Sequence, residues 1–173
     1  LGIRFLWHPS LSDETGAAAL RILEDARDGR VRLDALCVEG ALLRGPNGTG
    51  RFHVLAGTGR PMIDWVRELA AKARFTVAVG TCAAYGGVAA GGQNPTDACG
   101  LQYEGEARGG LLGASYRSRE GMPVVNIAGC PTHPGWVVES LTALSLGAFR
   151  QEDIDAFGRP RFYADHLVHH GCV

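Results

Sequence analysis

Short apolar runs alternate with amphipathic segments along this chain, and the alternation restricts the folds open to it. Runs of this kind predict strands, and the longer segments with apolar positions at helical spacing predict helices between them. Strands joined in this way by helices form a parallel sheet between two helical layers. We therefore expect an α/β fold with a mostly parallel sheet and helices on both faces. The predicted strands are 3–7, 33–38, 75–79 and 123–127, and the predicted helices are 15–29, 61–73 and 134–148.

Two glycine-rich stretches separate these elements. We interpret residues 40–60 as a long loop and residues 86–121 as mostly loop, because glycine, proline and asparagine recur there. A third, short helix is predicted over residues 152–158. Residues 159–173 are expected to form a tail in which Pro160 prevents a regular helix start.

Composition argues against two classes of function. The chain has 173 residues, of which 46% are hydrophobic, and a formal net charge of −1. That size allows one globular domain with a core. Near-neutral charge argues against nucleic acid as the main partner, since nucleic-acid binding calls for a basic stripe. The chain also contains no apolar run of about 18 residues, the length that a membrane-spanning helix needs.

Two cysteines directly follow predicted strands, Cys82 in GTCAAYGG and Cys130 in NIAGCPTHPGW. The carboxyl ends of parallel strands line one crevice, so the two thiols can meet there, with His8, Glu39 and Thr81 at the same edge. The flanking glycines let backbone N–H groups approach a bound group, as iron–sulfur sites require. The alternative is a pair of buried thiols that pack as small hydrophobes. We predict a metal or redox site at this edge.

The remaining candidate donors are less specific. Five cysteines at irregular spacings indicate metal-bound or reduced thiols and not a secreted disulfide framework. We interpret Cys37, inside an apolar run, as a core thiol, and Cys99 as a structural thiol. His169 and Cys172 form an H-x-x-C pair that could bind zinc or one corner of an iron–sulfur cluster. Glu39 is either a buried carboxylate that relays protons or a cap or loop anchor.

Five segments of the chain occur in a characteristic order: VEGA (38–41), GTCAAYGG (80–87), NPTDA (94–98), NIAGCPTHPGW (126–136) and RPRFY…HHGC (159–172). Together they resemble the signature segments of the small, electron-transferring subunit of [NiFe] hydrogenases. The A-G-C-P-T-H-P-G-W form and the H-H-G-C ending look most like the cytoplasmic uptake and hydrogen-sensing branch. The resemblance implies a flavodoxin-like domain over residues 1–158 and the start of a C-terminal cluster-binding region over 159–173.

The resemblance also implies the roles of individual residues. Cys82 and Cys130 would each donate a thiolate to the proximal [4Fe–4S] cluster, with Thr81 beside it and Glu39 near it along a proton route. His169 and Cys172 would be two of the four ligands of a distal [4Fe–4S] cluster. The implied partners are a large subunit that carries the Ni–Fe site and a redox acceptor or signalling protein. The implied location is cytoplasmic, with any membrane association through partners.

The sequence departs from the family pattern at both ends. The family has an earlier strand with a C-x-x-C that supplies two proximal ligands, and a later cysteine-rich region, whereas this sequence runs from Leu1 to Val173. We expect the missing strand to lie mid-sheet in a 2-1-3-4 order, so that two strand edges are exposed. The chain should then associate with itself or with another chain through these edges, or repair its sheet in an altered way. We also expect the isolated chain to be inactive and to lack intact clusters, or to bind metal weakly.

Three alternatives share much of this pattern. A hydrogen sensor would carry the same motifs and differ in its downstream partner. A cluster-less α/β scaffold would keep the cysteines as relics or zinc ligands. The iron–sulfur subunit of a quinone-reducing complex is a further relative, but the adjacent cysteine pair expected there is absent, and NPTDA with the H-x-x-C favours the hydrogenase.

Overall fold

The structure is a computed structural model and describes residues 2–166, so His169 and Cys172 lie outside the described residues. Its helices and strands alternate for most of the chain, as predicted. Two short 3-10 turns, Gly87–Ala90 and Gln151–Asp153, complete the regular structure of this part. In chain order the elements are α1 (Gly16–Arg27), β1 (Ala35–Glu39), β2 (Leu42–Leu43), α2 (Met62–Ala70), β3 (Phe75–Val79), α3 (Thr81–Tyr85), β4 (Ala98–Cys99), β5 (Tyr103–Glu104), β6 (Ala107–Arg108), β7 (Val125–Ile127), α4 (Pro134–Ser145) and α5 (Arg161–Ala164).

A parallel three-stranded sheet lies at the centre of the molecule, in the order β1-β3-β7. Glu39 is opposite Val79, and Val79 is opposite Ile127, so the three strands end level with one another. Outside this sheet, β2 pairs with β4 and β5 pairs with β6, both antiparallel. The parallel α/β prediction is confirmed.

Helices cover both faces of the sheet because the side chains of β3 alternate between the faces. Ala78 packs in one buried cluster with Ile63 and Val66 of α2. Val77 packs in the other, together with Leu144 of α4. Full burial of each larger aliphatic side chain contributes about 1.5–3 kcal/mol. These two clusters hold the strand ends, and hence the cysteine loops, in place.

The three long helices begin near their predicted starts and end earlier than predicted. Helix α4 begins at Pro134, whose fixed φ suits the first turn, and the Nδ1 of His133 accepts the N–H of Gly135. It ends at Ser145 and not at 148, because Gly147 adopts a left-handed φ of 67°.

The prediction of a strand over residues 3–7 is wrong. This segment has no regular structure, and Ile3 and Phe5 are 39% and 57% exposed. A strand needs a neighbour to accept its backbone hydrogen bonds, and none of the strands described between residues 2 and 166 pairs with this segment. Because residues 3–7 pair with no described strand, strand pairing does not hold His8 at the edge of the sheet. The Nδ1 of His8 accepts the N–H of Ser10 instead. The missing strand was expected to leave two neighbouring strands with exposed edges. In the described sheet β1 is an outer strand, whereas residues 3–7 form no strand and so provide no second edge.

The stretch 86–121 is mostly loop, as predicted, and contains three of the two-residue strands. Two smaller expectations need correction. Of the helix predicted over 152–158, only Glu152 and Asp153 are helical, in the 3-10 turn Gln151–Asp153, because the Asp155 carboxylate turns the chain by accepting later backbone N–H groups. Pro160 does not prevent a helix start: α5 follows it directly, since a proline φ of −55° is compatible with a helix entry.

Within the described residues, every helix is too short or too polar to cross a membrane.

Candidate metal centre

The two predicted cysteine loops leave the sheet side by side. Val79 and Ile127 are partners in the β3–β7 register, and each strand ends there. Cys82 and Cys130 each follow three residues after these partners. The structure therefore brings both loops to one edge of the sheet, as the sequence predicts.

Backbone hydrogen bonds join the two loops directly. The Gly80 N–H donates to the Ile127 carbonyl at 2.8 Å, and the Thr81 N–H donates to the Gly129 carbonyl at 3.0 Å. In return the Gly129 N–H donates to the Thr81 hydroxyl at 3.1 Å. Hydrogen bonds of this kind contribute about 1 kcal/mol each. Thr81 thus takes part in holding the loops together.

Cys82 is the second residue of the short helix α3 and is half-buried. Gly87 packs against it, with a left-handed φ of 55°. A Cβ atom at residue 87 would lie 2.5 Å from the Cys82 sulfur and 2.9 Å from its Cα. The sulfur therefore lies close against backbone, as a thiolate that receives N–H hydrogen bonds requires.

Cys130 is exposed at the tip of the second loop. The peptide bond to Pro131 is cis, and Pro131 has no N–H group. The Thr132 hydroxyl donates to the Ile127 carbonyl at 2.9 Å and so closes the loop. The thiol can be reached by a ligand from solvent.

Glu39 ends β1 at the same edge, next to Val79 in the register. It is exposed, so the described chain does not show the buried carboxylate that one of the two alternatives required. Its place beside a cluster stays a prediction.

The two other described cysteines differ from each other. Cys99 is buried, its thiol donates to the Leu42 carbonyl at 3.6 Å, and burial raises its pKa to about 11, which confirms a structural thiol. Cys37 is exposed, so the prediction of a core thiol is wrong. The reason is that β1 is an outer strand of the described sheet.

The donor set fits part of an iron–sulfur site. No group of three or more histidine, cysteine, aspartate or glutamate residues that could hold a metal ion occurs within residues 2–166. A [4Fe–4S] cluster takes about four thiolate ligands. Cys82 and Cys130 have the right chemistry and surroundings, but they supply only two ligands.

Sequence reasoning missed the contacts behind the cysteine loops. The Tyr163 hydroxyl accepts the Ala128 N–H at 3.0 Å and donates to the Asn126 carbonyl at 2.9 Å. Trp136 stacks on Tyr163, with ring centroids 4.2 Å apart and planes at 8°. The only signal was that Tyr163 belongs to the RPRFY segment of the resemblance.

Comparison with known proteins places the chain in a family. The family model described as "NADH ubiquinone oxidoreductase, 20 Kd subunit" matches residues 2–144. The chain is 36% identical over 148 residues to the F420 non-reducing hydrogenase I small subunit of Methanosarcina mazei, covering 79% of this chain and 37% of the relative. It is 34% identical over 160 residues to the periplasmic [NiFe] hydrogenase small subunit of Solidesulfovibrio fructosivorans, covering 92% and 43%. The chain thus spans less than half the length of these two relatives.

Solved structures agree with the sequence comparison. The actinobacterial-type NiFe hydrogenase from Ralstonia eutropha H16 matches with a TM-score of 0.78 and 31% identity, over 95% of this chain and 48% of that one. The Ni-Fe-Se hydrogenase from Desulfomicrobium baculatum matches with a TM-score of 0.78 and 28% identity, over 98% and 61%. The flavodoxin-like fold and the resemblance to [NiFe] hydrogenase small subunits are confirmed. The chain belongs to the family described as NADH ubiquinone oxidoreductase, 20 Kd subunit, and is a relative of the small subunits of [NiFe] hydrogenases.

Proposed function

We propose that this chain is the proximal-cluster part of the electron-transfer small subunit of a [NiFe] hydrogenase. The observation that carries the proposal is the pair of cysteine loops on adjacent parallel strands, joined by the Thr81–Gly129 hydrogen bond. The similarity to hydrogenase small subunits supports it. Electrons from a Ni–Fe site would pass through this chain during hydrogen oxidation.

The chain's own residues would hold the group that carries these electrons. Cys82 and Cys130 would each donate a thiolate to a [4Fe–4S] cluster, which when bound would accept and pass on single electrons. Thr81 joins the two loops, and Glu39 would lie near the cluster at the same edge. The other two ligands would come from outside the described residues. Residues 1–158 would form this domain.

The C-terminal residues 159–173 are proposed to begin a second cluster-binding region. His169 and Cys172, both outside the described residues, would be two of the four ligands of the distal [4Fe–4S] cluster. An imidazole and a thiolate three residues apart could each bind one iron of such a cluster.

The proposed partners follow from the same role. A large subunit would carry the Ni–Fe site, and a redox acceptor would receive the electrons. We propose a cytoplasmic location from the motif resemblance, although some relatives have periplasmic in their names. A hydrogen sensor would use the same residues with a signalling protein as acceptor.

A second candidate function is the iron–sulfur subunit of a quinone-reducing complex. The description of the matching family model favours it. The two candidates differ in the electron donor of the purified complex. Dye reduction that depends on hydrogen supports the hydrogenase, and NADH-dependent quinone reduction supports the alternative.

The ligand assignment predicts different effects of two cysteine substitutions. In the longest natural form of the protein, Cys130→Ser should abolish stable assembly of the proximal cluster, because serine supplies no thiolate. Cys37→Ser should leave the iron content nearly unchanged, because Cys37 lies on β1 and outside the two loops. Iron per chain after anaerobic purification measures both effects. Equal iron loss in the two variants would contradict the assignment.

A further inference from the structure

Residues 155–163, here called the strap, pack behind both cysteine loops. The strap begins with a turn that its own side chains shape. The Asp155 carboxylate accepts the N–H groups of Phe157 at 2.9 Å and Arg159 at 2.8 Å, and it pairs with the Arg159 guanidinium at 2.6 Å. Three contacts to one carboxylate give the turn a fixed shape, so its carbonyl oxygens point in fixed directions.

One of these carbonyl oxygens joins the two elements that carry the cysteines. The Phe157 carbonyl accepts the Tyr85 hydroxyl at 3.0 Å and the side-chain amide of Asn126 at 2.8 Å. Tyr85 lies in α3, three residues after Cys82, and Asn126 lies in β7, four residues before Cys130. A carbonyl oxygen can accept two hydrogen bonds. A single atom of the strap is therefore shared between the Cys82 helix and the Cys130 strand.

The contact with β7 continues along the strap. Asn126 is fully buried, and its N–H donates to the Gly158 carbonyl at 2.8 Å. Further along, the Tyr163 hydroxyl is bonded to both Asn126 and Ala128, the residues that lead into the Cys130 loop. Burial raises the pKa of Tyr163 to about 12, so its hydroxyl keeps its proton and donates at neutral pH. The stacked ring of Trp136 holds it in place.

We propose that the strap sets the relative position of the two cysteine loops, with Tyr85, Asn126 and Tyr163 as positioning residues. They act through the backbone of α3 and β7. The inference rests on the proposed function in that it treats Cys82 and Cys130 as a ligand pair. The geometric claim, however, concerns the two loops alone and can be tested without a cluster.

Three Tyr→Phe substitutions form a matched test, because each removes one hydroxyl and keeps the ring. Tyr85→Phe and Tyr163→Phe remove strap contacts. Tyr116→Phe is the control: its hydroxyl bonds the Ala70 carbonyl at 3.0 Å and the Thr76 hydroxyl at 2.7 Å, at neither cysteine loop. The free energy of unfolding of each variant, measured in urea, corrects for general destabilisation.

The readout is hydrogen exchange of the Thr81 amide, measured by NMR on the metal-free chain. This N–H donates a hydrogen bond to the Gly129 carbonyl across the two loops. None of the three substituted hydroxyls takes part in that hydrogen bond, so a change in its protection is an indirect effect of the substitution. Loss of a hydrogen bond worth about 1 kcal/mol corresponds to about a fivefold change in an equilibrium. We expect Thr81 protection to fall about fivefold in Tyr85→Phe and Tyr163→Phe, beyond the change in global stability, and not in Tyr116→Phe.

Two results would overturn the proposal. One is unchanged Thr81 protection in both strap variants; the other is an equal fall in Tyr116→Phe. If one strap variant fails to fold, the other carries the test. Failure here is distinguishable from failure of the proposed function, because the exchange experiment contains no metal and the ligand assignment is judged by iron content.

Discussion

At the scale of single residues, the candidate site depends on two glycines, whose lack of a side chain leaves room for neighbouring atoms. Gly129 has no room for a Cβ atom, which would lie 2.7 Å from the Thr132 Cα. Gly87 has none either, because a Cβ would meet the Cys82 sulfur. Glycine at these two positions lets backbone approach the cysteines closely.

Gly87→Ala should therefore destabilise the chain more than a matched glycine substitution does. Gly92 also has a left-handed φ, 61°, but a Cβ there meets nothing within 4 Å. Both variants lose about 1–2 kcal/mol for an alanine in the left-handed region, and Gly87→Ala loses a further amount of about 1–3 kcal/mol from overpacking. Urea unfolding of both variants measures the difference. Equal losses would show that Cys82 is not held against residue 87.

At the scale of elements, prediction succeeded where the local pattern decides the structure. The helices and the buried strand β3 show regular apolar spacing, and the cysteine loops follow from the ends of strands. Residues 3–7 have the composition of a strand, but a strand exists only beside a neighbour, which composition cannot reveal. The prediction of a core position for Cys37 failed for the same reason, because an apolar run does not distinguish an outer strand from an inner one.

The strap could not be predicted because its main acceptor, the Phe157 carbonyl, is a backbone atom. Every residue has such an atom, so the sequence carries no sign of which one is used. The tyrosine and asparagine donors are far from it in the chain, 72 and 31 residues away. Contacts of this kind appear only once the fold is known.

The short strands outside the main sheet depend on Arg44, which follows β2. Its guanidinium pairs with Asp97 at 2.6 Å and with Glu104 at 2.5 Å, and these partners raise its pKa. Arg44 is 25% exposed at its side chain, whereas Arg32, paired with Asp34, is 68% exposed. Asp97, which precedes β4, and Glu104 of β5 are thus tied to one cation.

Arg44→Met should lower the free energy of unfolding by about 1–2 kcal/mol, because two charge-assisted hydrogen bonds are lost. Arg32→Met should lower it by less than about 0.5 kcal/mol, as for an exposed pair. Urea titrations at low and moderate salt measure both. A loss in Arg32→Met as large as that in Arg44→Met would contradict the role given to Arg44.

At the scale of the whole molecule, the described residues form a three-stranded parallel sheet with two cysteine loops at the ends of its strands. The described sheet has three strands, with β1 on the outside and Cys37 exposed on it. Its candidate metal centre offers two thiols, while the relatives are about twice its length or longer. Association of the chain through the outer edge of β1 stays a prediction. We propose that Cys82 and Cys130 supply two of the four ligands of a cluster site at this edge.

The decisive measurement is iron, acid-labile sulfide and zinc per chain after anaerobic purification of residues 1–173 and of the longest natural form of the protein. We expect about four iron and four sulfide per cluster in the longer form, and little or none in residues 1–173. Absence of iron from both forms would contradict the hydrogenase account and favour a cluster-less scaffold. A complete cluster in residues 1–173 alone would contradict the conclusion that Cys82 and Cys130 need ligands from elsewhere.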